Sequence, residues 1–180
     1  FAASTHKEED NFCLKTHIKL KEKFKDIITI IAPRHIDRAK DIKILSENLN
    51  LKSQILNKDE AIIENKEIII INYFGALKNY FKYAKSVFIG KSIDNKFKDN
   101  GGQNPIEAAK LDCKIYHGPY VSNFEETYSA FQNLKIATKV NNFEDLSNHL
   151  SFDLQSSHEK DPKISVLLKN LEQKTFADTM

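Results

Sequence analysis

The chain has 180 residues, 41% of them hydrophobic and 29% charged, with 27 Lys and Arg against 25 Asp and Glu and a formal net charge of +2. This is the length of one domain with a sizeable core, and no apolar run approaches the ~20 residues that a bilayer span requires. A nearly balanced, intermixed charge gives no footing for a nucleic-acid partner. Cys13 and Cys113 are isolated and fit no zinc or redox spacing, as expected of reduced core thiols in a cytosolic protein. The chain opens on Phe1 without a signal-peptide pattern, so it reads as a soluble fragment of a longer protein.

Short β-branched runs alternate with helical patterns from end to end. Phe1–Ala3 reads as the stub of a strand, followed by a Ser4-Thr5-His6 loop. Thr5 and Glu8 have capping-box spacing for a helix through about Phe24. Ile27–Ala32 is a continuous apolar strand of the kind buried on both faces of a parallel sheet. Pro33-Arg34-His35 is its loop, and a helix runs from about Asp37 to Asn50. Ser53–Leu56 and Ile68–Ile71 are strands joined by a polar connection. Gly75–Ala84 is helical and Ser86–Ile89 a strand. A long polar loop, Gly90–Asn100, leads to Pro105–Lys110, which opens a helix. Lys114–Tyr116 and Ile136–Val140 are strands flanking a helix over Asn123–Asn133. Phe143–Leu150 is helical, and after a polar spacer Ile164–Lys174 predicts a final amphipathic helix. The expected organisation is therefore a domain over residues 1–150 and a spacer with a terminal helix over 151–180.

Strands alternating with helices through short loops imply an α/β protein with a parallel sheet covered on both faces. Ligands in such folds sit at the carboxyl ends of the strands. Ser4–His6, Pro33–His35, Asn72–Gly75, Gly90–Ser92, Gly101–Glu107 and Gly118–Asn123 all fall there.

Two features of that rim point to an anion. The chain has only five glycines, all in its middle third, and two adjoin in Gly101-Gly102-Gln103-Asn104-Pro105-Ile106-Glu107. Free amides at such a helix start attract phosphate, and the Glu107 carboxylate suits a ribose diol; an ordinary glycine loop before a proline-started helix is the plainer alternative. The second feature is arginine. Only Arg34 and Arg38 occur among the 27 basic residues, both just after a buried strand. Arg34, in the loop itself, is read as a bidentate ligand contact. Arg38, at helical spacing, is read as a surface ion pair with Asp37 or Asp41. His6 and His35 sit in rim loops, where they suit a phosphate or sugar, and His117 just follows a strand; His17, His149 and His158 are read as solvated. No set of side chains has metal-ligand spacing, so no metal site is expected. Neither a GxxxxGK[ST] nor a GxGxxG phosphate motif is present.

Four motifs in this order resemble one family. They are Ala3-Ser4-Thr5-His6 with Glu8-Glu9, Pro33-Arg34-His35 with Arg38, Gly101 to Glu107, and Gly118-Pro119 with Asn123-Phe124. Together they resemble the C-terminal, nucleotide-binding half of the 3-deoxy-D-manno-octulosonic acid (Kdo) transferases over Phe1 to about Leu150. The resemblance implies the Rossmann-like C-terminal domain of a GT-B glycosyltransferase fold, lacking most of its first strand. It implies transfer of Kdo from CMP-Kdo to a lipid A precursor in lipopolysaccharide synthesis, without metal or other cofactor. It implies that Pro33 and Arg34 contact CMP, that Asn104, Pro105, Ile106 and Glu107 hold its phosphate and ribose, and that Phe74, Gly75 and Ala76 form a third contact segment. Further donor contacts are expected from Ser4, Thr5, His6, His35 and Gly102. The chain departs from the family's pattern at Ala76, where an acidic residue is usual, and at Asn72, Gln103 and Lys91, which replace an aspartate, a histidine and a glycine. By the same resemblance, the catalytic glutamate and the membrane-associating segment belong to an N-terminal half, so the fragment alone is expected to be inactive. The full protein would then act at the cytoplasmic face of the bacterial inner membrane. A GT-B domain for another nucleotide sugar, or a non-catalytic nucleotide-binding fragment, are the competing readings.

Overall fold

A computed structural model of the chain describes residues 1–156. Seven strands, β1 (Ala2–Thr5), β2 (Thr29–Pro33), β3 (Ser53–Leu56), β4 (Ile68–Ile71), β5 (Ser86–Ile89), β6 (Lys114–His117) and β7 (Ala137–Lys139), form one sheet in the order β3-β4-β2-β1-β5-β6-β7. Every neighbouring pair is parallel. All seven lie where the alternation of apolar runs puts them.

β4 shows why these runs read so clearly. It is four isoleucines, each at most 1% exposed, because a parallel strand meets helices on both faces. Ile68 and Ile70 face one cluster with Leu14, Ile31, Ile42, Phe88, Tyr116 and Leu146. Ile69 and Ile71 face the other side with Ala32, Leu56 and Ala76. Helices α1 (Lys7–Lys21), α2 (Ala39–Asn48) and α6 (Phe143–Gln155) supply the first face. Helices α3 (Leu77–Phe81), α4 (Ile106–Lys110) and α5 (Glu125–Asn133) pack on the opposite face through Phe81, Ala108, Ala109, Tyr128 and Phe131. This is the Rossmann-like architecture that the sequence implied. β3 and β4 are parallel neighbours joined without a helix. Gln54 pins their connection, its Nε2 donating to the Ala61 carbonyl and its Oε1 accepting from the Ile63 amide, both at 2.9 Å.

Helix ends differ from expectation where tertiary contacts decide them. α1 stops at Lys21, because the amides of Lys23 and Phe24 both turn back to the Leu20 carbonyl. Its N-terminal box is His6 with Glu9, one residue later than Thr5 with Glu8: the Glu9 carboxylate accepts from the His6 amide at 2.9 Å. Ile36–Arg38 and Ser122–Phe124 are single 3-10 turns ahead of α2 and α5. α6 continues to Gln155, past the boundary expected at 150. It is tied to the sheet by Asp153, which accepts from Ser86, Lys114 and Tyr116 at 2.6–2.7 Å. The expected Ile164–Lys174 helix and His158 lie outside the described residues. Among the described residues no helix is long and apolar enough to cross a membrane.

β1 lies at the centre of the sheet. The chain builds outward from it through β2 to one edge, then crosses back to place β5 on its other side. The order of strands reverses between β1 and β5, so their carboxyl ends frame the crevice in which α/β proteins hold ligands.

Two histidines are buried below that rim. His17, expected in solvent, is 0% exposed and its Nδ1 is 2.9 Å from the Thr29 hydroxyl. His117 donates from Nδ1 to the Gly118 carbonyl at 2.7 Å and accepts at Nε2 from the Gln132 amide at 2.9 Å, an arrangement that fits the neutral ring. Burial lowers both rings from 6.5 to about 4. Unfolding frees them to titrate normally, so between those values the unfolded chain binds more protons and stability drains as pH falls. Thermal melts should therefore show a lower Tm at pH 5 than at pH 7.5. An unchanged Tm would mean that the two rings are not held neutral.

Candidate functional site

The rim loops are laced to one another by buried polar side chains. Thr5, at the end of β1, is the first knot. Its carbonyl accepts from the Arg34 amide at 3.0 Å and from Arg38 Nη1 at 3.3 Å, and its hydroxyl donates to Asp10 Oδ1 at 2.8 Å. Asp10 in turn pairs with Arg38 Nη2, the two side chains being 2% and 16% exposed. Arg38 is therefore a half-buried clamp between β1, α1 and the β2 loop, and its partner is Asp10 rather than Asp37 or Asp41. Thr5 is fully buried with its hydroxyl engaged, so it positions the rim instead of presenting a group to a ligand.

Glu9 is the second knot. It is 0% exposed, and its carboxylate accepts from the amides of His6, Lys91, Ser92 and Ile93 at 2.7–3.1 Å. Burial raises its pKa while these four bonds act against the rise. One carboxylate thus holds the β1 loop against the β5 loop. The contact is close: a Cβ on Gly90 would meet the Ser4 carbonyl oxygen at 2.5 Å.

Ser92 continues the lacing. Its hydroxyl accepts from the Gly118 amide and its carbonyl from the Tyr120 amide, each at 2.9 Å. The Lys91 carbonyl accepts from the Gly102 amide at 2.6 Å, and the Gly101 carbonyl accepts from the Asn123 amide at 2.9 Å. Five loops that are distant in sequence become one body.

Several of the expected ligand residues meet on this body. Ser4, Pro33, Arg34, Phe74, Gly75 and Ala76 line one groove enclosing about 100 Å³. Ser4 reaches it through a bulge at the end of β1, with φ 55 in the left-handed region. Pro33 is buried, whereas the Arg34 side chain is exposed and has no partner among the described residues. Phe74 is 75% exposed. Ala76 is 3% exposed among Ala32, Leu56, Ile69 and Ile71, so an apolar wall stands where the family's pattern has an acid.

The glycine segment lies alongside this groove, not in it. Asn104, Pro105, Ile106 and Glu107 are not among its lining residues. Asn104 Oδ1 accepts from the Ile106 amide at 2.9 Å, which occupies one of the helix-start amides that the sequence offers to a phosphate. Ile106 packs in the same cluster as Leu77, and Leu77 lines the groove. Glu107 is exposed without a side-chain partner among the described residues. Gly102 is buried with φ +87.

His6 and His35 stand edge to face with ring centroids 5.9 Å apart, and Phe97 covers the other side of His6 at 5.0 Å. Burial, together with His35, Lys91, Arg38 and Lys96, lowers His6 from 6.5 to about 4. Its Nε2 is buried without a hydrogen-bond partner. Among the described residues no group of three or more His, Cys, Asp or Glu side chains is placed to hold a metal.

No protein-family model matches the chain. It is 31% identical over 156 residues to a Kdo transferase of Rickettsia conorii, covering 87% of this chain and 32% of that protein. The Kdo transferase of Rickettsia bellii is 30% identical over 174 residues (97% of this chain, 39% of that protein), and that of Haemophilus influenzae 25% over 144 residues (80% and 33%). The chain spans about one third of the length of these relatives. Among solved structures, it is similar to the C-terminal CMP-Kdo binding domain of WaaA from Acinetobacter baumannii, with TM-score 0.76 and 19% identity, covering 96% of this chain and 86% of that one.

The clamp residues were the least visible from sequence, and Arg38 is their most direct test. Replacing it with Ala leaves Asp10 buried without its ion-pair partner and with only the Thr5 hydroxyl as donor, which should cost about 3–5 kcal/mol. Arg38→Lys keeps the charge but loses the planar fork, and should recover only part of that loss. Chemical unfolding of both variants reads the effect; wild-type stability in Arg38→Ala would mean that the clamp does not hold. The chain is similar over most of its length to about one third of a Kdo transferase, and it has the fold of the C-terminal domain of one.

Proposed function

We propose that this chain is the donor-binding half of a Kdo transferase. CMP-Kdo is its ligand, and in the whole protein Kdo passes to a lipid A precursor at the cytoplasmic face of the bacterial inner membrane. The supporting observation is the groove at the carboxyl ends of β1, β2 and β4. Residues from loops some forty positions apart, Pro33 and Arg34 with Phe74, Gly75 and Ala76, line it together. They are two of the three segments that the resemblance assigns to CMP; the third, Asn104 to Glu107, lies outside the groove lining.

The chemistry suits such a division. Transfer to an acceptor hydroxyl requires a base for its proton and a stabiliser for the departing CMP phosphate. Arg34 carries an exposed planar fork, unpaired among the described residues, beside the groove; it meets phosphate oxygens two at a time. The exposed Phe74 ring offers a flat apolar face to the cytosine. Glu107 reaches the ribose hydroxyls from the adjoining helix. The proton-accepting carboxylate and the acceptor surface are proposed to come from the remainder of the protein, outside the third of the relatives' length that this chain matches. We further propose that the phosphate charge is met by side chains and amides, without a divalent metal.

Calorimetry with CMP tests this. The chain should bind CMP with the same affinity in EDTA as in Mg²⁺, and it should transfer no Kdo by itself. Arg34→Lys and Glu107→Ala should each weaken binding by about 1.5–3 kcal/mol, the range for a hydrogen bond to a charged group. Both positions are exposed, so the Tm should hardly move. Absence of CMP binding, or full affinity in both variants, would overturn the donor-site reading; Kdo transfer by the chain alone would overturn the division between two halves.

A further inference from the structure

Lys91 lies on the rim, in the loop after β5 and beside the end of β1. It follows β5 with φ 59, a left-handed conformation that a residue with a side chain adopts at a cost. The position is held from both sides: the Lys91 amide donates to Glu9 Oε2 at 2.7 Å, and its carbonyl accepts from Gly102 at 2.6 Å. The same carboxylate oxygen accepts from the His6 amide at 2.9 Å, so Lys91 and His6 are bound to one atom. Two other cations near the rim are paired, Arg38 with Asp10 and Lys96 with Asp94. The Lys91 ammonium has no partner among the described residues, and neither does the buried Nε2 of His6. Glycine would sit at this backbone position without strain, whereas the lysine places its positive charge near His6.

An ulosonic acid joined to CMP carries two anions close together. One is the phosphate, and the other is the carboxylate on the sugar carbon that bears the phosphate oxygen. Arg34 lies on the β2 side of the crevice and Lys91 on the β5 side, with β1 between them. Resting on the donor-binding reading above, we propose that Lys91, with His6 beside it, forms a second anion subsite that takes the sugar carboxylate of the donor while Arg34 serves the phosphate. Lysine suits this role as a compact point charge, whereas the phosphate calls for the arginine fork.

The test compares CMP, which lacks the carboxylate, with freshly made CMP-Kdo, by calorimetry on the 180-residue chain. Lys91→Gly relieves the left-handed strain and keeps the backbone amide and carbonyl; Lys91→Asn, which also tolerates this region, is the second variant. In both, CMP affinity should stay within about twofold while CMP-Kdo affinity falls roughly tenfold, the loss of one charge-assisted hydrogen bond. Equal losses for the two ligands would assign Lys91 to the nucleotide and overturn the carboxylate subsite, as would unchanged affinity for both. Failure of the unaltered chain to bind either ligand would overturn the donor reading itself and this inference with it.

Discussion

The candidate site depends on one buried carboxylate. Glu9 projects from the first turn of α1 into the space between the ends of β1 and β5 and collects four main-chain amides, three of them from the loop after β5. Amides in a tight loop beside a strand end have no ladder partner, and burying them unpaired is costly. Glu9 removes that cost and in doing so fixes how far apart the two central loops stand. Its own burial is tolerable because each oxygen is met by two donors.

The other contacts extend this constraint around the rim. Arg38 and Asp10 bind the β2 loop to Thr5, Ser92 binds the β6 loop, and the Lys91 carbonyl binds the glycine segment through Gly102. The outcome is a rigid rim in which ligand-facing groups are presented by loops that cannot drift independently. Rigidity of this kind lowers the ordering cost of binding. It also explains where strain is stored. Lys91, left-handed beside the crevice, donates its amide to the Glu9 carboxylate, whose hydrogen bonds hold the local backbone.

The fold was legible because its driving pattern is local. A run such as Ile68–Ile71 announces a strand buried on both faces, and seven such runs alternating with helices leave few topologies. Arg34, read from its rarity in a loop at a strand end, and the Phe74 segment, which only the family resemblance singled out, come together along one groove. The clamp was not legible, because its partners are remote in sequence. Arg38 meets a carboxylate 28 residues away and Glu9 meets amides more than 80 away. From spacing alone Arg38 matched Asp41 on its own helix, and Glu9 looked like one more acid in a first turn. His17 misled in the same way, since a polar residue within a lysine-rich helix signals solvent until Thr29 is seen to cover it. Helix boundaries shifted for the same cause: Asn123 was expected to open α5, but its amide and side chain bind Gly101 and Asn100.

The account stands or falls on where the nucleotide sits relative to this laced rim. A crystal structure of the chain with CMP measures it directly. The account predicts the phosphate within hydrogen-bond distance of Arg34, the base against Phe74, and the four Glu9 bonds unchanged from the unliganded protein. CMP bound away from the groove that Pro33, Arg34 and Phe74 line, or a β5 loop released from Glu9 to admit it, would contradict the claim that a preformed rim is the donor site.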